Sequence, residues 1–419
     1  MNFYDSARMR DALRVLGYTD TEDPAEADIL LLNTCHIREK ASEKLFSEIG
    51  RLNKFKKKNA LLIVAGCVVQ ADGEEILKRA HSVDIAVGPQ NYHRLPELIT
   101  RFNRSKGRLV LADFPAESKF DFLPESQATG ASCFLAVQEG CDHFCSYCVV
   151  PYTRGCEYSR PADEILTEAK QLVRTGAKEI MLLGQNVNGW HGEGAKDLGD
   201  IIRMLAEIEG LERIRYTTSY PSEMTDNIIT AHRDVPKLMP YIHLPIQSGS
   251  NTILKAMNRQ YTREQYLDII DRFRSVRPDI AISSDFIVGF PGETESDFQQ
   301  TMDLVQQVEY ASSFSFKFSA RPGTPASIMK NQIAEPIKTE RLIKLQELLL
   351  AQQKQFNLNT IGKTLDILLI EPGKTKGQIS GYTPYLQNTH IIADSSLLGQ
   401  IVKVKITSAT ATSLSGKLI

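Results

Sequence analysis

The residues with the most distinctive chemistry are three cysteines, Cys141, Cys145 and Cys148, in a C-x3-C-x2-C arrangement. Four-iron clusters are held by cysteine thiolates, normally one for each iron. Three thiolates leave one iron without a protein ligand, and an open position is typical of a reactive metal site as opposed to a closed structural one. The spacing therefore predicts a 4Fe–4S cluster with one iron open to a further ligand.

A zinc site is the alternative for the same three cysteines. Zinc favours pairs of cysteines two residues apart and a set of four protein ligands. His143 lies inside the motif, but in so tight a loop we expect it to face a different direction from the thiolates. The spacing favours the iron–sulfur cluster.

Apolar runs alternate with helical patterns over the first hundred residues. The elements that these patterns predict must position two further cysteines. Strands are predicted at 29–35, 61–65 and 85–87. This alternation predicts a doubly wound α/β domain over residues 1–112, with ligands beyond the carboxyl ends of parallel strands. Cys35 and Cys67 stand at two of these ends. Taken alone, two such cysteines are more often inert packing residues.

A linker rich in Pro, Gly, Ser and charge is predicted at 113–128, and a second β/α series follows over 129–356. Six apolar strands, each leading into polar or glycine residues, are predicted at 134–137, 179–183, 213–216, 241–244, 284–288 and 314–317. Six β/α units predict a partial (β/α)6 barrel, whose active site lies at the strand tops.

Residues at two of these strand tops are candidates for binding an organic ligand, and ordinary turns are the alternative. Gly292 lets a backbone approach a ligand closely, and Thr294 and Asp297 are expected to cap the helix that follows. The candidates are Gly184, Gln185, Asn186, Gly289 and Gly292.

The C-terminal segment, residues 357–419, differs in composition and follows a predicted helix at 338–357. It is rich in Thr, Ile, Val and Gly, and the alternation over 401–407 predicts a strand of a small β-barrel. Six lysines against three acidic residues give this segment a charge of +3, although the whole chain carries −2. A positive surface suits RNA phosphates; a solvated domain surface is the alternative.

The composition is that of an ordinary globular protein. Its 419 residues, 42% hydrophobic and 24% charged, predict two or three domains. No apolar run of about eighteen residues occurs, and the first residues form no apolar or basic leader. We therefore predict a cytoplasmic protein without a membrane segment. Five of the seven cysteines lie between 133 and 156, which favours metal ligands over disulfides.

The cysteine motif resembles that of the radical S-adenosylmethionine (SAM) enzymes. This resemblance implies that the amino and carboxylate groups of SAM bind the open iron, and that an electron cleaves SAM to a 5′-deoxyadenosyl radical. Cys141, Cys145 and Cys148 would then be catalytic as well as metal-binding. Tyr147 resembles the aromatic residue near the SAM adenine in that superfamily, with a plain packing role as the alternative.

Longer segments resemble the methylthiotransferases over essentially the whole chain, including a C-terminal barrel that looks like a TRAM RNA-binding domain. The resembling segments are 33–41, 65–70, 137–141, 150–155 and 157–160. In that family a second 4Fe–4S cluster binds the first domain through three cysteines. Cys35 and Cys67 match the second and third of these, whereas Cys133 and Cys156 match none and are expected to be small packing residues.

In that family the first ligand of the second cluster is a cysteine within a short N-terminal segment. Residues 1–6 of this chain match only the end of that segment, after the cysteine. We therefore expect either that the true start lies upstream, with the first strand and first cysteine, or that the second cluster lacks a ligand. The former is favoured because the rest of the pattern is intact.

Residues 36–41 and 183–188 resemble the tRNA branch of the methylthiotransferases. That resemblance implies addition of a methylthio group to C2 of N(6)-dimethylallyladenosine beside the anticodon, with two SAM consumed. It further implies tRNA and a flavodoxin-type electron donor as partners, and a monomer. The alternatives are a methylthiotransferase for an aspartate of a ribosomal protein, and a non-catalytic RNA-binding protein with an incomplete second cluster.

Overall fold

The computed structural model describes residues 1–35 and 39–419, with side chains described outside 36–42. Of the segment 36–41, which carries part of the family resemblance, residues 36–38 and all the side chains lie outside this description. The chain forms two compact units. The first consists of Met1–Gln127, Glu139–Asp142 and Cys148–Glu157, and the second of Ala128–Gln138, His143–Tyr147 and Tyr158–Ile419.

The first unit contains a four-stranded parallel sheet in the order β1-β2-β3-β4. Its strands are β1 (Ile29–Thr34), β2 (Leu61–Gly66), β3 (Ile85–Val87) and β4 (Leu109–Leu111). The three predicted strands are confirmed, and β4 is additional. Thr34 lies opposite Gly66 in the register, so the chain leaves two neighbouring strands at Cys35 and at Cys67.

Helices cover both faces of this sheet, as the doubly wound prediction requires. They are α1 (Asn2–Arg14), α2 (Glu39–Asn53), α3 (Cys67–Arg79) and α4 (Leu95–Ser105), and the unit also includes the short α5 (Val150–Arg154). Successive residues of β2 point to opposite faces. Leu62 and Val64 join one apolar core with Ile49 of α2, whereas Ile63 joins another with Leu98 of α4.

The second unit contains six parallel strands in two three-stranded sheets, ordered β5-β8-β9 and β10-β11-β12. They are β5 (Ser132–Ala136), β8 (Glu179–Leu183), β9 (Arg213–Thr217), β10 (Tyr241–His243), β11 (Ala281–Val288) and β12 (Ser312–Lys317). Two short strands flank the cysteine loop along the chain, β6 (Gln138–Glu139) and β7 (Tyr158–Ser159). All six strands of the predicted partial barrel are confirmed.

Helices connect these strands, and several begin at a capping side chain. They are α6 (Ala162–Arg174), α7 (Leu198–Ala206), α8 (Asp226–Asp234), α9 (Asn251–Ala256), α10 (Arg263–Val276) and α11 (Glu295–Val308). At α11 the Thr294 side chain accepts from the Asp297 backbone N–H and the Asp297 carboxylate accepts in return. The expected cap is therefore confirmed.

A long helix, α12 (Glu335–Leu358), leads to a closed five-stranded barrel in the order β13-β14-β15-β17-β16. The strands are β13 (Thr364–Pro372), β14 (Gln378–Tyr382), β15 (Asn388–Ile392), β16 (Ile401–Ala409) and β17 (Leu414–Leu418). Both the connecting helix and the small β-barrel confirm the sequence prediction. None of the helices in the described part of the chain combines the length and apolar character needed to cross a bilayer.

Candidate active site

The loop that carries the three cysteines begins with a glycine that no other residue could replace without strain. Gly140 has a φ of +77°, which side-chain-bearing residues rarely adopt. A Cβ at this position would lie 2.0 Å from the Cys156 carbonyl oxygen. Cys141 follows directly, and its backbone N–H donates to the Gly155 carbonyl at 3.4 Å. The backbone therefore sets the start of the cysteine loop.

The three cysteines have different surroundings. Cys145 is buried, and its sulfur accepts a hydrogen bond from Arg259 Nη1 at 3.4 Å. Cys141 and Cys148 are partly exposed, and the Cys148 sulfur accepts from the Val150 N–H at 3.5 Å. All seven cysteines of the chain are free of disulfides.

The donor atoms of this loop have the chemistry that an iron–sulfur cluster requires. Three free thiols within eight residues form a soft donor set that suits iron–sulfur clusters. The cationic side chain of Arg259 donates to the Cys145 sulfur, a contact that suits an anionic metal ligand. Among the side chains of residues 1–35 and 43–419, no three His, Cys, Asp or Glu are grouped as ligands of one ion. The fit therefore rests on donor type and not on a preformed arrangement.

Asn186, one of the predicted ligand-binding residues, belongs to a polar cluster at the top of β8. Its Nδ2 donates to Glu223 Oε2 at 2.5 Å and lies 3.2 Å from His143 Nε2, which lies 3.0 Å from Glu223 Oε1. Asn186 is only 1% exposed, and its Oδ1 has no hydrogen-bond partner among the described residues. An unsatisfied buried acceptor beside a carboxylate is suited to a ligand that donates hydrogen bonds.

Glu223 carries the negative charge of this cluster. Burial raises the pKa of its carboxyl group, but the hydrogen bonds from His143 and Asn186 outweigh burial, so that the net pKa lies below its usual range. The carboxylate remains ionised at neutral pH. Sequence reasoning did not find Glu223, because it lies in a short 3₁₀ turn, Pro221–Glu223, without a motif of its own.

Gly184 and Gln138 explain the shape of the turn that presents Asn186. A Cβ on Gly184 would lie 2.5 Å from Gln138 Oε1, which accepts from the Asn186 N–H at 3.0 Å. Gln185, between them, is partly exposed. The predicted glycine is thus required for packing, and its neighbour Asn186 presents the acceptor.

The other predicted ligand contacts lie around one apolar cluster of the second unit. Tyr147 is partly buried and packs against a core that includes Phe290 and Met257. Gly289 has a φ of +70°, and a Cβ there would lie 2.4 Å from Lys338 Cγ, whereas a Cβ on Gly292 would meet open space. Tyr147 therefore has the packing contacts of the alternative interpretation. Of the two glycines, Gly292 has open space beside its Cα and Gly289 does not.

Cys35 and Cys67 lie at the adjoining ends of β1 and β2, as predicted. Gly66 precedes Cys67 with a φ of +99°, and a Cβ there would lie 2.4 Å from the Thr34 carbonyl oxygen. Cys67 is 5% exposed, and its sulfur accepts from Arg154 Nε at 3.2 Å.

Cys133 and Cys156 are the two cysteines that were expected to be small packing residues. Cys133 is buried and donates to the Gly130 carbonyl, which fits that role. Cys156 is exposed, so the expectation was wrong for Cys156.

A buried network of charges surrounds Arg154. Its Nη1 donates to Glu139 and its Nη2 to Asp5, both at 2.5 Å, and Lys119 also donates to Glu139 at 2.7 Å. All four charged residues are at most 3% exposed. Burial raises the pKa of Asp5, but the charges of Arg154 and Lys119 more than offset it and hold that pKa below its usual range. Two cations thus face two carboxylates and the Cys67 sulfur.

Three family models match the chain. The matched segments are residues 1–88 for the Uncharacterized protein family UPF0004, 135–305 for the Radical SAM superfamily and 359–419 for the TRAM domain. The fold and the site thus define a radical SAM enzyme that carries a C-terminal TRAM domain.

Full-length relatives make the assignment narrower. Three relatives are named tRNA-2-methylthio-N(6)-dimethylallyladenosine synthase. The Maricaulis maris protein is 54% identical over 100% of this chain and 95% of its own length, and the Agrobacterium fabrum protein is 53% identical over 99% and 94%. The Rickettsia canadensis protein is 54% identical over 100% of this chain and 97% of its own length. The chain belongs to the tRNA-2-methylthio-N(6)-dimethylallyladenosine synthase family, as the sequence resemblance predicted.

Solved structures support the fold alone. The radical SAM methyltransferase TsrM from Kitasatospora setae aligns with a TM-score of 0.60 and 14% identity over 78% of this chain and 72% of that chain. The cobalamin-dependent SAM radical enzyme OxsB aligns with a TM-score of 0.53 and 13% identity over 83% and 53%.

Proposed function

We propose that this protein is a tRNA methylthiotransferase that adds a methylthio group to C2 of N(6)-dimethylallyladenosine beside the anticodon. The observation that carries the proposal is 53–54% identity to proteins named for this activity over 99–100% of the chain. The same match disfavours the ribosomal-protein methylthiotransferase and the non-catalytic RNA-binding protein. We also propose a cytoplasmic monomer that receives electrons from a flavodoxin-type protein.

Cys141, Cys145 and Cys148 would hold the first 4Fe–4S cluster in this proposal. With SAM bound, such a cluster would supply one-electron radical chemistry of the kind that an unreactive aryl C–H requires. The residues of the chain itself have other roles. Arg259 donates to the Cys145 sulfur, and Gly140 fixes the direction in which the loop starts.

Asn186 and Glu223 are proposed to bind the amino group of SAM. The N–H groups of an amino group donate hydrogen bonds, also where its nitrogen lone pair binds a metal. The unsatisfied Asn186 Oδ1 and the ionised Glu223 carboxylate supply matching acceptors. Gly184, Gln185, Gly289 and Gly292 are retained as further SAM contacts, with Tyr147 beside the adenine.

Cys35 and Cys67 would supply two thiolates to a second cluster in the first unit. Two features support this role: the parallel register brings their strand ends side by side, and Arg154 donates to the Cys67 sulfur. Lysines of the C-terminal barrel would contact the tRNA phosphates.

The test is anaerobic reconstitution with iron and sulfide, followed by incubation with SAM, a reductant and prenylated tRNA. We expect methylthiolated tRNA by mass spectrometry and 5′-deoxyadenosine as a coproduct. Cys145→Ala should lose about four irons per chain and all 5′-deoxyadenosine. Cys133→Ala is the matched control, because Cys133 is also buried and its thiol donates to a backbone carbonyl, and it should retain both. Equal 5′-deoxyadenosine formation by both variants would contradict the assignment.

A further inference from the structure

Residues 256–259 comprise the last residue of α9 and the three residues that follow it. They contact the part of the cysteine loop that carries Cys145. Backbone atoms of this segment accept twice from Ser146: its N–H donates to the Met257 carbonyl at 3.0 Å and its hydroxyl to the Ala256 carbonyl at 2.8 Å. The side chains of Asn258 and Arg259 then continue the contact along the loop. The two segments lie more than a hundred positions apart in sequence, so no local pattern reveals the contact.

Asn258 holds the two residues before Cys145. Its Nδ2 donates to the carbonyls of His143 at 2.9 Å and Phe144 at 3.1 Å. Both Phe144 and Asn258 have positive φ, 47° and 58°, and a non-glycine residue keeps such a conformation only where its surroundings hold it. Asparagine tolerates this region better than most residues. The amide of Asn258 therefore stabilises a strained turn of the loop.

Arg259 completes the contact at the sulfur itself. Besides Cys145, its guanidinium donates to the Pro245 carbonyl at 2.9 Å and to the Tyr261 hydroxyl at 2.6 Å. No carboxylate lies within ion-pair distance of Arg259 in the described part of the chain. Arg259 therefore places a positive charge, not neutralised by any described carboxylate, beside the Cys145 sulfur.

An aromatic stack fixes the guanidinium in place. Arg259 Cζ lies 4.2 Å from the Tyr220 ring centroid, and the His143 ring is stacked on Tyr220 at 3.7 Å and 7°. Two groups so close to one ring cannot share a face, so Tyr220 is sandwiched between Arg259 and His143. A cation over a tyrosine ring is attracted to it. The stack joins Arg259 to the loop at a second point.

We propose that residues 256–259 position the Cys145 loop, and that Arg259 raises the reduction potential of the cluster that Cys145 binds. The proposal rests on the proposed function. Reduction adds negative charge to a cluster, so a nearby cation and an N–H donor to a ligand sulfur favour the reduced state. Arg259 and Asn258 are positioning residues here, since they act through Cys145 and the loop.

The test measures the midpoint potential by spectroscopically monitored titration of the reconstituted full chain, with Cys35→Ala/Cys67→Ala as a common background. Arg259→Met should lower the potential by about 59 mV, equivalent to a tenfold smaller equilibrium constant for a one-electron reduction. Arg259→Lys keeps the charge, and its midpoint potential should lie between those of the Arg259 protein and of Arg259→Met. Arg263→Met is the matched control, because Arg263 bonds to the Gln300 carbonyl and not to sulfur, and it should leave the potential unchanged.

Asn258→Gly tests the positioning role separately, because glycine keeps the positive φ and removes the two amide bonds. We expect iron to be lost to a chelator about tenfold faster, with unchanged thermal unfolding of the iron-free chain. An unchanged potential in Arg259→Met, or an equal shift in Arg263→Met, would overturn the proposal for Arg259. An unchanged rate of iron loss in Asn258→Gly would overturn the proposal that residues 256–259 position the Cys145 loop. A reconstituted cluster without methylthiolated product would refute the proposed function alone, since the potentials remain measurable.

Discussion

Cys133 and Cys145 are both buried cysteines of the second unit, and their neighbours separate a packing residue from a proposed ligand. Cys133 donates to the Gly130 carbonyl, which requires a protonated thiol. Cys145 accepts from a guanidinium, so its sulfur acts as an acceptor beside a positive charge. Burial alone therefore does not distinguish the two, whereas the direction of the hydrogen bond does.

Glu223→Gln is expected to weaken SAM binding without disturbing the fold. The substitution removes the only negative charge in the described cluster of Glu223, His143 and Asn186, and the N–H groups of the SAM amino group would lose a charged acceptor. We expect about a tenfold rise in the Kd for SAM, or about 1.4 kcal/mol, measured by calorimetry on the reconstituted protein. Glu347→Gln, on an exposed part of α12, is the control. Equal Kd values for the two variants would count against the amino-group assignment.

The sequence predicted those site residues that form a local motif, and missed those that act from a distance. Cys141, Cys145 and Cys148 share one loop, so their spacing alone indicates a cluster. Glu223 and Arg259 come from separate connections, after β9 and after α9, and only the fold brings them to His143 and Cys145. Neither has a distinctive sequence neighbourhood from which a role could be inferred.

Elements with an apolar pattern were predicted well, and those without one were not. The strands leading to Cys35, Cys67 and Asn186 agree with the structure within one or two residues. Helix α1 was not predicted, because it buries polar side chains, including Asp5 at 1% and Asp11 at 4% exposure. Apolar periodicity carries no signal when the buried face of a helix is charged.

Helix α8 carries a histidine that makes stability depend on pH. His232 is fully buried and contacts the Tyr216 hydroxyl of β9 at 2.8 Å. Burial, with a smaller contribution from Arg277, lowers its pKa from 6.5 to about 3. Between these values the unfolded chain binds a proton that the folded chain does not, so stability falls as pH falls through this window.

The expected slope is about 1.4 kcal/mol of unfolding free energy per pH unit below 6.5. Urea unfolding at several pH values, followed by fluorescence of the single tryptophan, Trp190, reports on this unit. His232→Gln retains a partner for Tyr216 and should reduce the slope by that amount. An identical slope in the variant would show that other groups cause the pH dependence.

At the scale of the whole molecule, two arginines of β9 join the C-terminal barrel to the rest of the second unit. Arg213 donates to the carbonyls of Tyr382 and Asp366, and Arg215 to those of Thr383 and Pro384, at 2.7–3.0 Å. Burial lowers the pKa of Arg213 to about 10, so its guanidinium stays charged at neutral pH. The barrel is thus held by charged donors as well as by apolar packing.

Arg215→Met is expected to destabilise the second unit by about 3 kcal/mol, because it leaves the buried Glu179 carboxylate without its cation. The midpoint of urea unfolding by Trp190 fluorescence measures the change. The double variant Arg215→Met/Glu179→Gln removes both charges and should recover part of the loss. A double variant no more stable than the single one would indicate that the carbonyl bonds to the barrel carry the effect.

The exposed face of the same barrel carries lysines that would contact the tRNA phosphates. Lys403 and Lys405 alternate on β16 with buried residues, and Lys405 lies opposite Lys417 of β17. The three exposed lysines therefore share one face, whereas Lys344 of α12 is paired with Glu340. Each phosphate contact contributes about one to the slope of log K against log salt concentration.

Lys405→Gln/Lys417→Gln should thus reduce that slope for prenylated tRNA by about two, measured by filter binding across a range of salt concentrations. Lys344→Gln should leave it unchanged. If the slopes agree while the unmutated chain binds tRNA, the phosphates are contacted elsewhere. A net charge of −2 on the chain gives little overall attraction to RNA, so a local lysine face is the physical means by which such a protein would hold its substrate.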